Sequence, residues 1–168
     1  MNETIIVSTG EVKTGNKNDT LKSSPIGSCV VVILFEEKAK TGGMAHIMLP
    51  GKAPSKEGVI ATRYALNAIE MLIQQLDSAG VNKKNLNAIV VGGGNVLKRK
   101  GDTIGIDNLN SVTKELNDNQ IEIEAFSIKG TERKSVRYNL AQGTIYVATG
   151  DEIEKLLYRF PNKPQLIV

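Results

Sequence analysis

Apolar positions along this chain recur with two periods. Val30 to Phe35 and Met44 to Leu49 are apolar at nearly every position, and the charged, Gly-ended linker Glu36 to Gly43 joins them. Runs of this kind bounded by turn formers predict neighbouring antiparallel strands, covered on both faces. Leu86 to Val91 predicts another buried strand, ending at Gly92-Gly93-Gly94, whereas Ile121 to Ile128 alternates like a strand with one wet face. Shorter strand signals occupy Thr4 to Ser8, Ser135 to Asn139 and Thr144 to Ala148.

Helical spacing appears first from Ile60 to Ser78, on Ala61, Tyr64, Ala65, Ala68, Ile69, Leu72, Ile73 and Leu76, with Gly80 as its stop. Asp107 is placed to cap a second helix, Asn108 to about Asn117, with Leu109, Val112 and Leu116 turned inward. Ile153, Leu156, Leu157 and Phe160 predict a third from Asp151 to Phe160. Polar residues 9–20 read as an exposed loop, and the tail from Pro161 to Val168 as extended, its Leu166-Ile167-Val168 end docking on the body or on a partner. Strands and helices without strict alternation give an α+β class: layered β-sheets, sandwich-like, with flanking helices, in one domain over residues 1–168.

Composition narrows the classes. With 168 residues, 40% hydrophobic and 23% charged, the chain is large enough for a substantial core, and 4% aromatics without Trp make that core aliphatic. Net charge is +3, and the basic triplet Lys98-Arg99-Lys100 has no aromatic neighbours for base stacking, so nucleic-acid binding is not read. Met1 to Thr9 lacks a signal pattern, and no apolar run nears the ~20 residues of a membrane span. One cysteine forms no intrachain disulfide, so a cytoplasmic protein without membrane insertion is expected. Gly92-Gly93-Gly94 has neither the spacing of a dinucleotide loop nor a Gly-Lys-Ser/Thr end; a tight turn carrying backbone toward a site is the better reading.

The chemistry concentrates in residues 23–48, which hold the single cysteine, Cys29, and the single histidine, His46. A hairpin turning at Glu37-Lys38 sets the two directly opposite, at the 4.5–5.5 Å Cβ spacing of cross-strand pairs. A neighbouring imidazole that takes the thiol proton makes a nucleophile, a third group such as Ser23 or Ser24 fixes the ring, and amides around Gly27, Ser28 and Cys29 face an oxyanion. An activated thiol of this kind reacts with iodoacetamide well below pH 8. The alternative from the residues alone is a small buried thiol beside a satisfied core histidine. A metal-dependent hydrolase needs more ligands than one Cys and one His, and no metal or cofactor is expected.

The stretch Lys22-Ser23-Ser24-Pro25-Ile26-Gly27-Ser28-Cys29-Val30, with Gly43-Met44-Ala45-His46-Ile47-Met48-Leu49-Pro50, resembles the chemoreceptor glutamine deamidase family, CheD. Arg63-Tyr64-Ala65 opening a helix, the Gly92-Gly93-Gly94 turn and Ile104-Gly105 with Asn108 extend the resemblance over roughly residues 5 to 148. It implies a protein-glutamine deamidase working through Cys29 as nucleophile and His46 as base, with Ser23 orienting His46 where the family usually carries a threonine as third catalytic residue. It also implies receptor methyl-ester hydrolysis by the same pair, methyl-accepting chemotaxis receptors as substrates and the phosphatase CheC as a partner. Departures mark a divergent member: Pro25 for a glycine, Asp107 for an arginine, and Ser127-Ile128-Lys129-Gly130 for Asp-x-Gly-Gly. They motivate the alternative of a non-catalytic module that binds receptor or CheC.

Overall fold

A computed structural model describes residues 2–161. Ten strands form two five-stranded sheets. The first sheet is built from β1 (Thr4–Val7), β3 (Thr20–Ser23), β8 (Lys134–Asn139), β9 (Thr144–Thr149) and β10 (Lys155–Arg159), in that order. The second runs β2 (Val12–Gly15), β5 (Thr41–Ile47), β4 (Val30–Glu36), β6 (Asn87–Gly92) and β7 (Glu122–Ile128). Helix α1 (Ala65–Ser78) connects β5 to β6, and α2 (Ile104–Asp118) makes the crossover between the parallel strands β6 and β7.

The double-sided apolarity of β4 follows from its place. Val30, Val32 and Leu34 face the helices, against Ala68, Leu72, Leu109 and Val112. Val31, Ile33 and Phe35 face the first sheet, against Leu21, Val136, Tyr138 and Ile145. The fold is α+β: two stacked sheets with helices on the outer face of one. Each such side chain, fully buried, contributes about 1.5–3 kcal/mol of transfer free energy.

Several expectations need correction. Residues 9–20 are not one exposed loop: Val12–Gly15 pairs antiparallel with β5, as an edge strand that needs only one buried face. The first helix begins at Ala65, because Ala61–Arg63 forms a single 3₁₀ turn and Tyr64 bridges Leu49. The second begins at Ile104, four residues before the expected Asn108. Asp102 Oδ1, not Asp107, accepts the Ile104 amide at 3.1 Å, while Asp107 takes the Thr103 hydroxyl. Gly105 lies inside this helix, where it packs on the backbone of Gly93 and Gly94.

The third predicted helix is strand β10. A ten-residue helix is marginal by itself, whereas pairing with the free edge of β9 satisfies the backbone. A bulge between Leu156 and Tyr158 breaks the strict alternation, which is why the spacing imitates a helix. The Leu166-Ile167-Val168 end lies outside the described residues.

Candidate active site

Residues 24–29 carry the chain from the end of β3 in one sheet to the start of β4 in the other. Ile26 is stitched to Lys134 by two backbone hydrogen bonds of 2.7 and 2.9 Å, so the segment leaves the first sheet in a fixed position. Cys29 stands just before β4, half-buried, on the wall of an open pocket of 340 Å³. Gly27 and Ser28 line the same pocket, together with Pro25, Val96 and Arg133.

The β4–β5 hairpin closes at Glu36 and Thr41, and pairs Val31 with His46 and Val30 with Ile47. Continuing that register sets Cys29 level with Met48, so the direct Cys29–His46 opposition expected from a turn at Glu37-Lys38 is off by two residues. A two-residue slip conserves the face. Cys29 and the His46 partner Val31 both belong to the layer between the sheets. No hydrogen bond joins the sulfur to the ring, and His46 Nε2 has no partner among the described residues.

The other ring nitrogen is occupied. His46 is fully buried, and its Nδ1 lies 3.2 Å from the carbonyl oxygen of Val7 and 3.3 Å from Ser24 Oγ. A carbonyl only accepts, so Nδ1 carries the proton and Nε2 presents its lone pair. Burial holds the imidazole below its ordinary value, against the raising influence of the Val7 carbonyl and Glu11. The resting ring is therefore neutral and basic at Nε2.

Burial likewise pushes the Cys29 thiol up, opposed by the Thr9 hydroxyl and by the amide of Cys29 itself. Burial thus favours the uncharged form of both groups, thiol and imidazole.

Ser23 and Ser24 have separate placements. Ser23 is buried and its Oγ accepts the Val136 amide at 3.0 Å, which pins β3 to β8. The hydroxyl beside the imidazole is that of Ser24. The expectation from the family resemblance that Ser23 orients His46 is therefore corrected: Ser23 is spent on the Val136 amide, and the next residue supplies the hydroxyl at the ring.

Two further groups at the site have no role in the sequence reading, although Asn108 is named in the family motif. The Val7 carbonyl reaches His46 only because β1 is set against β3, a pairing no local pattern announces. Asn108 is fully buried on the inward stripe of α2 and donates from Nδ2 to Ser28 O at 2.9 Å and Met48 O at 3.0 Å. Its signal was available: a carboxamide in register with Leu109 and Val112.

The glycine triplet lies directly beneath the cysteine. Gly93 and Gly94 donate their amides to Cys29 O at 2.8 Å and Gly27 O at 3.0 Å, so the turn does bring backbone against the site. At Gly92, with φ +118°, a Cβ would lie 2.3 Å from Cys29 O. Among the described residues no group of three or more His, Cys, Asp or Glu is placed to hold a metal, and no helix is long and apolar enough to cross a membrane.

Residues 48–149 match the family described as CheD chemotactic sensory transduction. A probable chemoreceptor glutamine deamidase CheD of Chlorobium luteolum is 36% identical over 156 residues, 93% of this chain and 78% of its own. The chemoreceptor glutamine deamidase CheD of Thermotoga maritima is 32% identical over 89% of this chain and 96% of its own. That of Halalkalibacterium halodurans is 28% identical over 92% and 99%. The family match starts just beyond His46, while the Chlorobium alignment is long enough to include both Cys29 and His46. The chain belongs to the CheD family.

Proposed function

We propose that the chain is a protein-glutamine deamidase acting on chemoreceptors, with Cys29 as nucleophile and His46 as general base. The observation that carries the reading is the buried Nε2 of His46, without a partner among the described residues, on the same face as a thiol that opens to a pocket. Cys29 Sγ attacks the carboxamide carbon of a glutamine as its proton passes to His46 Nε2. The carbonyl oxygen becomes an oxyanion in reach of backbone amides of the 27–29 loop. The protonated imidazole then gives its proton to the departing nitrogen, and ammonia leaves. Water, deprotonated by the same Nε2, hydrolyses the thioester and leaves glutamate.

The gap between sulfur and ring closes by rotation of the thiol once a substrate fills the pocket; catalytic hydrogen bonds are often long before substrate binds. Ser24 and the Val7 carbonyl orient the base, while Ser23 acts one step back by holding β3. The same attack suits a glutamate methyl ester, with methanol leaving in place of ammonia. The chemistry needs no cofactor, and the setting is the cytoplasm, where receptor helices and the phosphatase CheC are available as partners to the single domain.

A receptor cytoplasmic fragment incubated with the chain tests this by peptide mass spectrometry. Wild type converts glutamine to glutamate, and Cys29→Ala does not; identical spectra refute the catalytic reading. The second reading, a non-catalytic module binding receptor or CheC, is favoured by the resting thiol state and by Ser127-Ile128-Lys129-Gly130. Tight receptor binding with no conversion at any glutamine establishes it.

A further inference from the structure

The loop that presents Cys29 has all three of its carbonyls turned inward. Gly27 O is taken by Gly94 N, Ser28 O by Asn108 Nδ2, and Cys29 O by Gly93 N. Two of these donors are backbone; only the middle one is a side chain, and the middle one governs the peptide that ends in the Cys29 amide.

A trans peptide points its C=O and N–H in opposite directions, and no cis bond occurs in the described chain. Drawing Ser28 O toward α2 therefore sends the Cys29 N–H the other way, away from the helix. The same amide favours the thiolate of its own residue, against the larger effect of burial. The second bond of Asn108, to Met48 O, ties the same carboxamide to the segment just after His46. One side chain thus fixes the nucleophile's loop and the base's strand relative to each other.

Packing does not explain the residue. Leu109, Val112 and Leu116 fill the apolar contact of α2, whereas Asn108 leaves its own Oδ1 buried without a partner among the described residues. A buried acceptor left unpaired is unfavourable, and what offsets it is the pair of bonds from Nδ2.

We infer that Asn108 is a positioning residue of the deamidation: by holding the Ser28 carbonyl it aims the Cys29 amide at the oxyanion of the acyl-transfer step. This rests on the deamidase reading and adds to it a group that never touches substrate.

The test uses the full chain with Asn108→Ala, and Leu116→Ala as a control that loosens the same helix away from the loop. Thermal unfolding first establishes a temperature at which both are folded. At that temperature Asn108→Ala lowers kcat for a glutamine peptide on the order of 10–100-fold with little change in KM. Its iodoacetamide alkylation profile moves to higher pH, because the thiolate loses a donor. Leu116→Ala keeps the wild-type kcat and profile. If Asn108→Ala does not fold, Asn108→Ser is read in the same assays with the same directions expected.

The inference is overturned if the Asn108 variant loses stability but matches Leu116→Ala in both kcat and alkylation profile. Failure of the deamidase reading is seen separately, as wild type that converts no glutamine. In that event an unshifted alkylation profile in the Asn108 variant still refutes the positioning of the amide.

Discussion

The carbonyl oxygen of Val7 lies 3.2 Å from Nδ1 of His46, and this contact decides which ring nitrogen is the base. Because the carbonyl accepts only, the proton stays on Nδ1 and the lone pair on Nε2, so β1 of one sheet sets the tautomer of a residue in the other.

The pH dependence follows from burial. His46 is held below its ordinary value of 6.5, so its basic form persists to lower pH than that of a free imidazole. The acid limb of kcat/KM therefore falls below pH 6.5. Stability has the same sign: on acidification the unfolded chain takes the proton first, so the contribution is full above pH 6.5 and is lost as pH drops through the folded value. Denaturant titrations of wild type and His46→Gln from about pH 7 to about pH 5 check this. Wild type loses more stability than the variant; parallel decline contradicts it.

The two serines separate by readout. Ser23→Ala leaves the buried Val136 amide without its acceptor and costs about 1–3 kcal/mol in urea unfolding. Ser24→Ala removes only the weaker contact to His46 Nδ1, changes stability by less than about 0.5 kcal/mol, and lowers kcat on the order of ten-fold through a looser ring. A larger kcat loss in folded Ser23→Ala than in Ser24→Ala reverses the assignment.

Gly92→Ala is expected to damage the site from below. A Cβ there meets Cys29 O at 2.3 Å and Ile26 Cγ2 at 2.7 Å, and the positive φ is unfavourable for alanine. Loss of about 1–3 kcal/mol in urea unfolding, with slower turnover at temperatures where the variant is folded, is the expected result. Gly51→Ala, at φ +75° with open space around it, carries the backbone penalty alone and leaves turnover intact. Equal turnover in the two variants argues against the glycine turn as a support of Cys29.

The central elements were legible because their signals are local. The apolar runs of β4 and β5 announce strands covered on both faces, and the α1 stripe announces a helix against a sheet. Cys29 and His46 stood out as the single residues of their kinds. What was hidden depends on tertiary pairing. The polar Val12–Gly15 becomes a strand because β5 offers it an edge, and Lys155–Arg159 becomes one because β9 does. Hairpin register shifted by two because the turn spans Glu37 to Lys40, with Lys40 at φ +48°, a conformation that neither lysine nor its neighbours advertise. The choice between Ser23 and Ser24 is likewise a matter of which face of β3 meets the second sheet.

Attack by Cys29 on a carboxamide has a direct product on the enzyme itself. Acid-quenched turnover with a glutamine-bearing receptor peptide, followed by mass spectrometry of the protein, should reveal an acyl adduct on the proteolytic fragment that contains Cys29. Its mass should be that of the peptide less ammonia, and it should be absent in Cys29→Ala together with turnover. Undiminished release of ammonia by Cys29→Ala, with no adduct on the wild-type fragment, contradicts the account.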